Sequence, residues 1–137
     1  MNVRGALQNR TYEGSLRFEV EEVSVDHAIG RMAVQPGVLN PFGTVHAGAL
    51  IWFADVVATY CAIGDLQTVE ENGQGFPVAV DLHSVLLANE RDGDLTATAR
   101  CIRRGRQVVV VGTAITGKAG RVLLEMTTTH LRSGSPR

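Results

Sequence analysis

The chain has 137 residues, enough for one domain with a substantial core. Its 13 Lys and Arg against 14 Asp and Glu leave a formal net charge of −1. That balance excludes a general electrostatic pull toward nucleic acid or an anionic membrane surface.

Residues 1–14 carry no hydrophobic period and read as a loose or short helical arm; no signal peptide is visible there, so a cytoplasmic location is expected. A single domain is expected over 15–132, with a tail over 133–137. Residues 18–25 and 28–35 are β-like runs around an Asp26-His27 turn. Pro36-Gly37 and Pro41 then mark a loop, and Gly43-Thr44 leads into the run AGALIWFADVVATYCAI, Ala47–Ile63. This run has helical composition and is apolar nearly all round, which predicts a buried central helix ending near Gly64. It is too short and too interrupted for a membrane span.

Residues 65–75 form a loop or a frayed helix end. Four alternating runs follow, 76–87, 95–102, 107–116 and 122–131, separated by Asp92-Gly93-Asp94, Arg104-Gly105-Arg106 and Gly117-Lys118-Ala119-Gly120. They predict an antiparallel meander of four strands. In the first, strict alternation puts Ala79, Asp81 and His83 on one face. In the last, Leu124, Met126, Thr128 and His130 share a face. Cys61 and Cys101 lie inside apolar segments without ligand spacing and read as reduced core thiols. His27, His46, His83 and His130 are scattered, so no metal site is expected.

The order is two strands, one long helix and four strands, an α+β chain. A strongly curved antiparallel sheet wrapped round the helix would bury all its faces. The open edges of such a sheet call for dimerisation.

One charge stands against this apolar background. Asp55 sits in the middle of the helix, where an unpaired carboxylate costs several kcal/mol. Just upstream, Asn40-Pro-Phe-Gly-Thr-Val-His46-Ala-Gly48 delivers polar groups and glycines to the helix N-terminus. The two features together have the character of an active site.

The element order, with Asn40-x-x-Gly43-Thr44-x-His46-x-Gly48 leading into a helix that bears Asp55, resembles the hotdog-fold acyl-CoA thioesterases. The likeness is greatest to the phenylacetate-degradation (PaaI-like) subfamily, and it extends over roughly 20–131. It implies a curved sheet around a central helix, and a homodimer with two interfacial sites, commonly doubled to a homotetramer. It also implies an acyl-CoA substrate cleaved without metal or bound cofactor, coenzyme A entering only as part of the substrate.

Roles follow residue by residue. Asp55 is the expected nucleophile or general base, since a carboxylate can attack a thioester or activate water. The backbone N–H groups of Ala47 and Gly48 are the expected oxyanion hole, because a helix N-terminus offers free donors and about half a positive charge. Ala47 departs from the commoner His-Gly-Gly pattern, which a backbone donor tolerates. His46 is expected to order the turn, and Asn40 to hold the water or thioester, with an Asx turn before Pro41 as the other reading. Ala79 stands where some related enzymes carry a serine or threonine, so either Asp55 and Asn40 suffice or Thr59 or another hydroxyl substitutes. Arg103, Arg104, Gly105 and Arg106 are expected to meet the phosphates of coenzyme A. Trp52 is a candidate for the acyl pocket. The rivals are a hotdog hydratase or dehydratase acting on enoyl or hydroxyacyl thioesters, and a non-catalytic acyl-CoA-binding protein.

Overall fold

The apolar run does form one helix, over Ala47–Ile63, and everything else is arranged around it. The structure is a computed structural model and describes residues 2–133. In chain order the elements are α1 (Val3–Gln8), β1 (Glu19–Val23), β2 (His27–Ala33), α2 (Ala47–Ile63), β3 (Pro77–Leu86), β4 (Asp94–Arg104), β5 (Val108–Thr116) and β6 (Val122–Arg132). The last residues of the expected tail, 134–137, lie outside the described ones. All six strands join in one antiparallel sheet, ordered β1-β2-β4-β5-β6-β3. The sheet curves about α2, which is the hotdog fold.

The core lies between the sheet and one side of the helix. Leu50, Phe53, Ala54, Val57, Ala58 and Cys61 are fully buried against Leu95, Ala97, Ala99, Val109, Val111 and Ile115. The helix approaches closely at Gly30 of β2, where an added Cβ would stand 2.5 Å from the Val57 side chain. Only glycine admits the helix at that distance. At its end α2 stops at Gly64 (φ 70°), whose N–H bonds the carbonyl of Tyr60. Positive φ is the reason for glycine there.

Three expectations are corrected. The sheet does not bury α2 on all sides: Trp52 is 54% exposed, and Gly48, Asp55, Val56, Thr59 and Tyr60 on the same face are not fully covered. A single six-stranded layer encloses only one side of a cylinder. The four-strand meander also fails at its first member. β4, β5 and β6 are consecutive neighbours, but β3 pairs with β6 on the far edge, because β2 already occupies the free side of β4. Turn residues mark where a strand ends but not which neighbour it finds.

The third correction concerns the faces of β3. A bulge between Ala79 and Asp81 inserts Val80, so Ala79 pairs with His130 while Asp81 pairs with Thr129. The extra residue flips Asp81 and His83 to the face opposite Ala79. As an edge strand β3 leaves Val80, Leu82, Val85 and Leu86 exposed. Cys61 and Cys101 are both free; Cys61 is buried and Cys101 only partly so. Burial raises the Cys61 thiol to about 11, with Cys101 adding to the shift, so it stays protonated and inert.

Candidate functional site

The loop before α2 is tied down at both ends. Asn40 closes it on itself: its side-chain oxygen accepts from the N–H of Phe42 (2.9 Å) and of Thr44 (3.1 Å), and its Nδ2 reaches the Thr44 hydroxyl (2.8 Å). This is the Asx-type reading of Asn40, in which the amide is engaged inside the turn. Asn89 braces the loop from the β3–β4 connection. Its side chain accepts from Val45 N–H (3.1 Å) and donates to Val45 C=O (2.7 Å), as a paired strand would. The His46 N–H bonds Val38 C=O (2.8 Å), and the His46 ring meets Tyr12 edge-on.

That bracing presents α2's first turn bare. No side chain caps the helix and no acid occupies its first turn. The N–H groups of Ala47 and Gly48 have no acceptor among the described residues. Ala47 has no positive φ, so the departure from glycine leaves the backbone in ordinary helical geometry. A Cβ at Gly48 would meet nothing within 4 Å, so the helix start is uncrowded there. Gly48 lines a cavity of about 440 Å³ whose walls also include Tyr12, Leu16, His46 and Trp52. Free donors and the positive helix end suit an oxygen gaining negative charge.

Asp55 lies two turns further along the same exposed face. Its Oδ1 is buried and unpartnered. Burial pushes its carboxyl above the usual aspartate range, and the nearby His130 imidazole partly opposes that shift. The carboxylate opens on a cavity of about 600 Å³ lined by Val56, Thr59, Tyr60 and Ile63 of α2, Leu66, Val69 and Phe76 of the following loop, and Val78 and Ala79 of β3. Ala79 does share the pocket with Asp55, as its sequence position suggests. The Thr59 hydroxyl is there too, donating to the backbone carbonyl of Asp55 (2.9 Å).

Sequence reasoning assigned no role to His130. It is fully buried on β6, directly paired with Ala79. One ring nitrogen meets Pro77 C=O (3.3 Å) and the other the Thr128 hydroxyl (2.8 Å). A carbonyl can only accept, so in the neutral ring Nδ1 carries the hydrogen and Nε2 accepts from Thr128. Burial lowers the His130 pKa, while Pro77 C=O and Asp55 oppose it. The one available signal was a histidine sharing a strand face with Leu124 and Met126. Asn89 gave none.

The arginine turn separates into two parts. Arg104 turns inward and donates to the last carbonyls of α2, Cys61 (2.8 Å) and Ala62 (2.7 Å), and to Val25 (3.0 Å). Its guanidinium thus closes the negative end of the helix. Arg103, Gly105 and Arg106 line a cavity of about 540 Å³ with Gln107 and Val108. Within one chain the structure therefore groups Asp55 with Ala79, His46 with Gly48 and Trp52, and Arg103 with Arg106. It does not unite the three groups.

A family model described as a domain of unknown function (DUF4442) matches residues 3–131. The chain belongs to that family. No curated protein matches this DUF4442 chain. Among solved structures it is similar to a hypothetical thioesterase protein from Streptococcus pneumoniae crystallised with coenzyme A, at 23% identity and a TM-score of 0.75. That match covers 88% of this chain and 89% of the other. It is similar also to a thioesterase from Haemophilus influenzae, at 23% identity and a TM-score of 0.72, covering 83% of this chain and 76% of that one. A thioesterase enzyme from Staphylococcus aureus aligns at 22% identity and a TM-score of 0.74, over 85% and 93% of the two chains. At these identities the likeness is one of fold. Among the described residues no helix is long and apolar enough to cross a membrane.

Proposed function

We propose that this protein is an acyl-CoA thioesterase of the phenylacetate-degradation type, hydrolysing R–CO–S–CoA to a carboxylic acid and coenzyme A. The observation that carries the reading is the half-buried Asp55 carboxylate, unpartnered at Oδ1, at an apolar cavity on a helix whose N-terminus is bare. A stabilising role would have supplied a partner, because a buried carboxylate without one destabilises the fold. The pneumococcal relative solved with coenzyme A and the other thioesterase relatives support the same reading.

The chemistry needs no metal or bound cofactor. Asp55 takes a proton from water as the oxygen attacks the thioester carbon, and the developing oxyanion is held by Ala47 and Gly48 N–H. The C–S bond then breaks and the thiolate of coenzyme A takes up a proton. In the variant route Asp55 attacks the carbonyl itself, and water hydrolyses the resulting anhydride. A raised carboxyl pKa favours the general-base form, since a base works best when its pKa approaches the working pH.

One carbonyl must lie within about 3 Å of both the donors and the base. Along a single helix Gly48 and Asp55 are about 10 Å apart. The site is therefore composite: the N-terminus of one copy's α2 meets Asp55 of a second. The exposed face of α2 and the apolar edge of β3 supply the surface for that homodimer, which doubling would make a tetramer. Arg103 and Arg106 hold the phosphates of coenzyme A, and Gly105 lets the turn approach them. Arg104 stays with the helix.

The test is free-thiol release from a panel of acyl-CoAs by wild type and Asp55→Asn. Release in the wild type that falls about 10³-fold in the variant is the expected result. Equal rates in the two proteins would overturn the assignment of Asp55.

A further inference from the structure

We infer that Asn89 is a positioning residue for the N–H donors at the start of α2, and that the Glu90–Arg121 pair holds Asn89 in place. What those donors act on rests on the thioesterase reading; how they are fixed does not.

Val45 immediately precedes His46, the cap of α2, and is fully buried. It bridges Leu39 across a short antiparallel pairing, closed by Asn40 N–H to Thr44 C=O (2.7 Å) and His46 N–H to Val38 C=O (2.8 Å). In that pattern the N–H and C=O of Val45 itself point outward, away from 38–40. Asn89 takes both, Oδ1 accepting from the N–H (3.1 Å) and Nδ2 donating to the carbonyl (2.7 Å). Asn40 Nδ2 stands 3.5 Å from the same carbonyl, but it is engaged more closely by the Thr44 hydroxyl (2.8 Å). Without Asn89 a buried N–H would lose its acceptor, and the segment would have to move to find another. Ala47 and Gly48 follow two and three residues on, so any such movement reaches them.

Asn89 is anchored from the other side. Among residues 89–92 alternate side chains reach opposite ways. Asn89 and Arg91 bond the loop before α2, Arg91 donating to Phe42 C=O, whereas Glu90 and Asp92 bond the β5–β6 turn. The Arg121 guanidinium joins the two directions, donating to both Asn89 C=O and the Glu90 carboxylate. Glu90 Oε2 also accepts from Lys118 N–H (3.4 Å). The Glu90 side chain is only 5% exposed, and Gly117 makes room for it. Gly117 has φ −114°, outside the left-handed region, yet a Cβ there would stand 2.8 Å from Glu90 Cγ. A buried carboxylate supplied with a guanidinium, an N–H and a glycine-sized space is a built anchor, and the residue it anchors is Asn89.

Donors at a reacting oxygen help only when they are already in place, and a displacement of about 1 Å costs on the order of 10²-fold in rate. Asn89 and Glu90 line neither the cavity at the helix start nor the one beside Asp55. Their loss therefore acts on kcat and leaves KM nearly alone.

The experiment measures kcat and KM for thiol release from acyl-CoA by wild type, Asn89→Asp, Asn89→Ala and Arg121→Lys. Amide exchange over residues 42–50 is followed by mass spectrometry without substrate. Asn89→Asp is nearly isosteric but turns an oxygen toward Val45 C=O. It and Asn89→Ala should lower kcat about 10²-fold with KM within about twofold, and should speed exchange over 42–50 while sparing β4 and β5. Arg121→Lys keeps the charge at a half-exposed position and cannot span both acceptors; it should show the same kind of loss, about tenfold, even where an Asn89 variant fails to fold. A kcat within about twofold of wild type in the variants that fold, or losses accompanied by raised KM and faster exchange throughout, overturns the inference. No thiol release from wild type would sink the thioesterase instead. Faster exchange confined to 42–50 would then still keep Asn89 as the residue that fixes the helix start, and unchanged exchange there would remove it.

Discussion

The two sides of α2 are written in nearly the same apolar alphabet and have different fates. Leu50, Phe53, Val57 and Cys61 are fully buried against the sheet, whereas Trp52 is largely exposed and Val56, Thr59 and Tyr60 line a cavity beside Asp55. On the sheet side every added contact stabilises the folded chain. On the other side the same kind of side chain is only partly covered within one copy and is left to meet a ligand or a second copy. Apolar character alone therefore does not identify core; the covering layer does.

Substitution should separate the two sides, and the largest contrast lies in Asp55. Asp55→Asn should abolish most turnover yet raise Tm at pH 7. The sign follows from linkage: the folded state holds the Asp55 proton more tightly than the unfolded chain does. The stability it contributes is therefore full below the ordinary aspartate pKa of about 3.9 and is lost as pH rises through the raised folded value. Thermal melts from pH 3 to 8 should show the two proteins diverging as pH rises. A lower Tm for Asp55→Asn at pH 7 would mean that the carboxylate has a structural partner.

Next in size is the pair Phe53→Ala and Trp52→Ala. Emptying the fully buried Phe53 site should cost about 3–5 kcal/mol in urea unfolding. Removing Trp52 should cost well under half of that and act instead on substrate binding or dimer dissociation. Equal losses would erase the distinction between the faces.

The arginine turn offers a third contrast. Arg104→Ala strips two α2 carbonyls of a charged donor and should destabilise by about 1–3 kcal/mol. Arg106→Ala should leave Tm unchanged and raise KM for acyl-CoA. A change of Tm with Arg106 and none with Arg104 would reverse the assignment.

The smallest effect concerns His130. Its pKa is lowered on folding, so its contribution is complete above the ordinary histidine value of about 6.5 and is lost as pH falls through the folded value. His130→Gln should flatten the stability profile in that acid window, and equilibrium unfolding at pH 5 and 7 measures it.

Much of this molecule was legible in the chain. The bounds of α2, the strand segments and the order of two strands, one helix and four strands came from periodicity and turn residues, because these report backbone geometry within a few residues. Asp55 stood out because a charge in an apolar helix is anomalous wherever the helix packs. The bulge at Val80 was not legible: one inserted residue leaves composition unchanged and reverses every later face of β3. The inward turn of Arg104, beside outward Arg103 and Arg106, was hidden for a related reason. Three adjacent guanidinium groups are chemically alike, and only the position of the helix end distinguishes them.

By itself the sequence determined which segments are helix and strand and the charge at the centre of the helix. All of these rest on local preferences. The tertiary structure alone decided that β3 takes the outer edge beside β6, that His130 lies beside Ala79, and that one face of α2 is left uncovered. Those outcomes depend on how six strands share their edges and how far one sheet can bend around a helix. They are set by the sum of pairings across the whole chain, which no local stretch of sequence records.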